Sequence, residues 1–267
     1  MTWVIGASTP FLGHGIVVSD IRVTFNNGET ADMLQKAYPV GNFMVAGFAG
    51  SVLIGFRLLD SLTQSLALPH EVAKTQAWDP AWVARKWAPR AKAIFDSSSP
   101  QEKALGSQLL LVGISPTENT GAPELSKVYI VRFSAPNFKA GFMNKRTRAC
   151  NIGSGAGVNR YKQVMKPFLN NLSYALQAET VGFGAWARTI AYSMSNVITD
   201  YPNEGISEHL NVFVFQLGRI AETNTDRTIY PPDSTPVEIR MPKVARSYAE
   251  FQEMVKKMGI GSAYATC

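Results

Sequence analysis

The chain opens on a change of hydrophobic pattern. Trp3 to Ala7 is apolar, Ser8 to Gly15 is rich in turn formers, and Ile16 to Val18 is apolar again. Short apolar runs divided in this way predict a strand, a turn and a second strand. Asp20 ends the hairpin, and Asn26 to Thr30 predicts another turn. Phe43 to Ala46 predicts a short strand followed by a glycine turn. From Ser51 the period lengthens. Leu53, Phe56, Leu59, Leu62 and Leu66 recur at helical spacing, which predicts an amphipathic helix ending near Pro69. A second helix is predicted over Pro80 to Phe95, with a loop at Ser97 to Pro100.

The second half alternates in the same manner. Leu109 to Ile114, Val128 to Phe133 and Thr147 to Ile152 predict strands. Gly153 to Gly157 predicts a turn that opens a helix reaching Leu172, and Val181 to Ile198 predicts another helix. Leu210 to Leu217 predicts a strand, Arg227 to Tyr230 and Pro236 to Arg240 a strand pair, and Tyr248 to Lys257 a last helix. With no repeat and no long linker, the expectation is one domain over residues 1–267. This order of elements suits a layered α+β architecture.

Composition narrows the class. Of 267 residues 46% are hydrophobic and 17% charged, which excludes a disordered chain. The longest uncharged stretch, Ala37 to Phe56, could span a bilayer by length. Pro39, Asn42 and four glycines within it favour a buried strand, a turn and a core helix. The N-terminus has no basic flank before its apolar residues, and two cysteines, Cys150 and Cys267, make no disulfide framework. The expectation is a soluble cytoplasmic protein with no membrane partner.

The net charge of +6 has an address. No Asp or Glu occurs from Leu125 to Ala178, where nine of the 26 bases lie. The remaining 17 bases face 20 acids, so the rest of the chain nets −3. Such localisation bears on partners and association, not on fold.

The candidate chemistry lies elsewhere. Thr2 follows the initiator Met1, whose removal would leave Thr2 as a free N-terminus. A threonine hydroxyl needs a base, and an N-terminal threonine carries its own, an α-amino group with an ordinary pKa of about 7.7–8.0. A retained Met1 would acylate that amine and remove the base. Asp20 and Lys36 are separated by 16 positions, the sequence Ala46-Gly47-Phe48-Ala49-Gly50 follows, and Ile152-Gly153-Ser154-Gly155 comes later. A cationic Lys36 would lower the pKa of the Thr2 hydroxyl and amine, and Asp20 would hold and orient Lys36. The Gly47 N–H would serve as oxyanion donor, and Ser154 would hydrogen-bond near the Thr2 amine.

These motifs, with Val17-Val18-Ser19-Asp20-Ile21-Arg22-Val23-Thr24, resemble the proteasome β-subunit family, including the HslV protease, and among its groups the betaproteobacterial proteasome homologue. The resemblance covers residues 2–217, leaving 218–267 as a C-terminal extension. It implies a four-layer αββα sandwich of N-terminal nucleophile hydrolases, with two antiparallel sheets between helical layers. It implies a threonine-type endopeptidase acting on peptides or unfolded proteins, assembled as homo-oligomeric stacked rings of sixfold or sevenfold symmetry. An AAA+ unfoldase is the implied partner, and no cofactor is expected. Asp200 is the implied match to a later family aspartate, although the residues that follow it, Tyr-Pro-Asn-Glu-Gly-Ile-Ser, depart from the family's Ser-Gly pattern.

Other readings stand beside this one. The same fold could carry a small-molecule amidase or a catalytically silent homologue. The basic stretch and the helix bearing Trp78, Trp82 and Trp87 could bind nucleic acid, although packing explains these tryptophans better. Gly153, Gly155 and Gly157 do not make a dinucleotide fingerprint, and His14, His70 and His209 have no metal-ligand spacing.

Overall fold

The computed structural model describes residues 2–9, 12–67, 80–115, 126–142, 149–203, 205–229, 235–260 and 265–267. Met1, Pro69, Trp78, Lys145, Arg146 and Arg148, all raised by the sequence, lie outside the described residues.

The opening apolar runs form the hairpin β1 (Val4–Thr9) and β2 (His14–Asp20), with Val4 opposite Ser19 and Thr9 opposite His14. Every residue of β2 is buried. A strand covered on both faces reads as a continuous apolar run, and here Ile16 to Val18 does so. The turn Asn26–Glu29 joins β3 (Arg22–Phe25) to β4 (Thr30–Asp32). Next come β5 (Ala37–Gly41) and β6 (Met44–Gly50). The glycine turn expected after Ala46 is strand instead: Ala46 pairs with Leu111 and Gly50 with Ser107. Small residues suit that strand because its neighbours crowd it. A Cβ on Gly47 would lie 2.8 Å from a Val4 methyl.

Helix α1 (Val52–Leu66) starts where the helical period starts, capped by Ser51 Oγ accepting from Ile54 N. Its Ile54, Leu58 and Leu62 are fully buried. Helix α2 (Pro80–Asp96) is followed by α3 (Pro100–Ala104), a short helix in place of the expected loop end, capped by Ser99 with Pro100 in its first turn. Then come β7 (Ser107–Ile114), β8 (Val128–Ser134), β9 (Gly141–Phe142) and β10 (Ala149–Ile152). A 3-10 turn at Ser154–Gly157 leads into α4 (Asn159–Asn170), α5 (Leu172–Glu179) and α6 (Ala185–Asp200). The helix expected from Val181 begins at Ala185, and Val181 is exposed. The chain ends with β11 (Leu210–Gln216), β12 (Arg219–Asn224), β13 (Arg227–Ile229), β14 (Val237–Ile239), α7 (Tyr248–Lys257) and β15 (Ala265–Thr266).

Two five-stranded antiparallel sheets organise the molecule, in strand orders β10-β1-β2-β11-β12 and β5-β6-β7-β8-β9. Val4, Val17, Phe213 and Phe215 of the first sheet share a core with Val45, Leu110 and Val112 of the second. Helices α4 and α6 pack on the first sheet through Tyr161, Met165, Ile190 and Met194. Helices α1 and α2 pack on the second through Phe56 and Trp87, which meet Phe48 and Phe133 of that sheet, and α7 packs on α1 and β3 through Tyr248 and Phe251. The result is an α+β sandwich. Residues beyond 217 belong to it: Phe251 stacks on Phe25, and Ala265 and Cys267 are buried in the same core.

Candidate active site

Asp20 is the last residue of β2, and its carboxylate is fully buried. Burying a carboxylate is unfavourable unless a cation and enough donors surround it. Here Oδ1 accepts from Trp3 N at 2.9 Å, while Oδ2 accepts from Lys36 Nζ at 2.9 Å, Arg22 N at 3.2 Å and Ser207 N at 3.4 Å. Strand pairing of β1 with β2 brings Trp3 into reach, because Asp20 N also donates to Trp3 O.

Lys36 follows the irregular stretch after β4 and directly precedes β5. Its carbonyl accepts from Phe48 N, which ties it to β6. The fully buried ammonium has three protons to place. It donates to Thr2 Oγ1 at 2.7 Å, Asp20 Oδ2 at 2.9 Å and the Arg22 carbonyl at 2.5 Å. Every donor is used, so the cation is held against the Thr2 hydroxyl.

Thr2 is fixed from the other side by the 3-10 turn. Thr2 N donates to Ser154 Oγ at 3.0 Å, and Gly155 N donates to the Thr2 carbonyl at 3.0 Å. Gly153 has φ of +85°, and a Cβ there would lie 2.3 Å from the Thr2 carbonyl oxygen. Only glycine fits that conformation and that approach. Gly153 N in turn donates to Gln108 Oε1 of β7 at 2.8 Å, which links the two sheets at the site.

Thr2, Asp20, Lys36 and Ser154 are therefore brought together. Gly47 lies mid-strand, opposite Ala37 in β5 and Leu110 in β7. Gly50, at the end of the same strand, presents its N–H to the cleft, where it donates to the Cys267 carbonyl at 2.6 Å. Asp200 is not brought in. It ends α6 exposed to solvent, and among the described residues no hydrogen bond or ion pair joins it to the cluster. Ser207, seven residues on, reaches Asp20 instead. The irregular stretch between α6 and β11 carries it there, and no periodicity in the sequence singles it out.

A second charged pair flanks the cluster. Arg22 Nε donates to Asp32 Oδ1 at 2.6 Å, and Ser207 Oγ donates to Asp32 Oδ2 at 2.7 Å. Burial alone would push the Asp32 carboxyl up, but the bonds from Arg22 and Ser207 outweigh it and hold the carboxyl below its usual range. Beside Thr2, a cleft of about 490 Å³ is lined by Gly50, Ser107, Gln108, Ser154 and Cys267, among others.

Among the described residues, no group of three or more His, Cys, Asp or Glu is placed to hold a metal ion, and no helix is long and apolar enough to cross a membrane. The six described bases of the acid-free stretch divide between β8 with its flanks (Lys127, Arg132, Lys139) and α4 (Arg160, Lys162, Lys166), which sit on different sheets. Trp87 is core, packed edge-on against Phe133. No family model and no curated protein matches the sequence.

Proposed function

We propose that the chain is a threonine-type peptidase subunit of the N-terminal nucleophile class, with the proteasome-like αββα arrangement. The observation that carries this reading is Lys36 Nζ held between Thr2 Oγ1 at 2.7 Å and Asp20 Oδ2 at 2.9 Å. After removal of Met1, the Thr2 amine takes the Oγ1 proton as Oγ1 attacks a peptide carbonyl. Lys36 stabilises the developing alkoxide. The Gly50 N–H, on the residue that lines the same cleft as Ser154 and Cys267, suits the oxyanion role better than the mid-strand Gly47. The leaving amine receives the proton, and water then releases the acyl group from Oγ1. Ser154 orients the amine, and Ser207 and Arg22 help hold Asp20 in place.

By the same reading, the subunits stack as homo-oligomeric rings, take unfolded polypeptide and work with an AAA+ unfoldase in the cytoplasm. The test is covalent capture. Met1-processed protein exposed to a peptide vinyl sulfone or boronate gains the reagent's mass on Thr2, and Thr2→Ala does not. Absence of any adduct on the processed protein overturns the reading. Light scattering separates rings from the monomer or dimer expected of a small-molecule amidase.

A further inference from the structure

Thr2, Asp20 and Lys36 are fully buried in the chain that still carries Met1, so access to the Thr2 hydroxyl depends on Met1 removal and on any other neighbour that covers it. One neighbour is the chain's own segment 265–267. Strand β15 pairs with β3, Thr266 opposite Thr24, and Thr266 also bridges to Ser51 at the end of β6. The segment thus lies between two strand edges, as an extended peptide does in strand addition.

Cys267 makes a two-way backbone contact with Gly50. Cys267 N donates to the Gly50 carbonyl at 2.9 Å, and the Gly50 N–H donates to the Cys267 carbonyl at 2.6 Å. The Cys267 side chain is buried next to Thr2, and its thiol donates to the Gly50 carbonyl at 3.5 Å. A backbone oxygen of Cys267 thereby occupies the Gly50 N–H, the donor assigned above to a scissile carbonyl, and its thiol lies next to the nucleophile. Burial pushes that thiol up to about 11, so it is an inert filler and not a competing nucleophile.

We propose that residues 265–267 are an internal strand plug of the Thr2 site, which a peptide substrate must displace to be cleaved. This rests on the peptidase reading above. The segment is held by strand pairing and non-covalent contacts, so it competes with substrate and leaves Thr2 itself intact. A chain that is open only part of the time shows an apparent affinity reduced by the open fraction.

The experiment uses Met1-processed full-length protein, a variant ending at residue 264, and Cys267→Pro. The last keeps the length but removes the N–H that donates to Gly50. Thr2 adduct formation with a peptide boronate or vinyl sulfone is timed by intact mass, and circular dichroism checks folding. Both variants are expected to label on the order of tenfold faster than the full chain. In the full chain, iodoacetamide is expected to modify Cys267 slowly without the peptide reagent and readily once Thr2 is labelled. This second readout needs no variant, so a misfolded truncation does not blunt the test. Labelling of Thr2 at one rate in all three proteins, with Cys267 still protected in the adduct, overturns the plug alone. No Thr2 adduct in any of them overturns the peptidase reading, and the plug with it.

Discussion

Ser207 N donates to Oδ2 of Asp20 across 187 positions of sequence, while Ser207 Oγ donates to Asp32. One residue therefore touches both carboxylates of the site. Its side chain serves the outer pair and its backbone serves the inner one.

That division makes Ser207→Ala informative. Asp20 keeps its backbone donor, so Thr2 labelling is expected to slow only a few-fold. Asp32 loses a donor to a charged acceptor, about 1.5–3 kcal/mol. A carboxyl held below its unfolded value adds stability above about pH 4, and that stability is lost as pH falls through the folded value. The gap between wild type and Ser207→Ala should thus be full near pH 7 and shrink in strong acid. Urea unfolding at both ends of that range checks the sign.

Lys36→Met should behave differently. It strips the cation from a fully buried carboxylate, which costs about 3–5 kcal/mol, and removes the charge next to Thr2. Labelling is expected to vanish. Adding Asp20→Asn should restore part of the stability without restoring labelling, because the amide still accepts from Trp3 N but brings no nucleophile activation. Denaturant midpoints and adduct masses separate the two effects.

Two glycines four positions apart should give opposite results. Gly153→Ala forces a side chain into φ of +85° and against the Thr2 carbonyl. The conformation alone, an extended backbone at positive φ, costs about 1–3 kcal/mol, and the contact must move Thr2. Gly157→Ala meets nothing within 4 Å and should stay within about 0.5 kcal/mol of wild type. Thermal melts and labelling rates should drop for the first variant alone.

Asp200→Asn should leave Thr2 labelling unchanged. The residue is exposed at the C-terminal end of α6, where a negative charge opposes the helix dipole. A stability gain of a few tenths of a kcal/mol is expected. A large loss of labelling would mean that Asp200 reaches the site in a state other than this one.

Local pattern by itself determined the elements with strong periods. The Leu53-to-Leu66 repeat is α1, the apolar runs at Ile16 and Leu210 are β2 and β11, and the order of strands and helices is that of an α+β sandwich. The order and spacing of short motifs, and not residue type alone, marked Thr2, Asp20, Lys36 and Ser154 as candidates. Where a partner came from far away, pattern was silent. Ala46 to Gly50 is strand because β5 and β7 flank it, not because its glycines favour strand. Ser207 reaches Asp20, and Gly50 meets Cys267, through backbone N–H and C=O groups, which every residue type carries, so no side-chain signal marks those two contacts. Tertiary structure decided those contacts, since a buried carboxylate and a strand edge both take whichever backbone the fold brings to them.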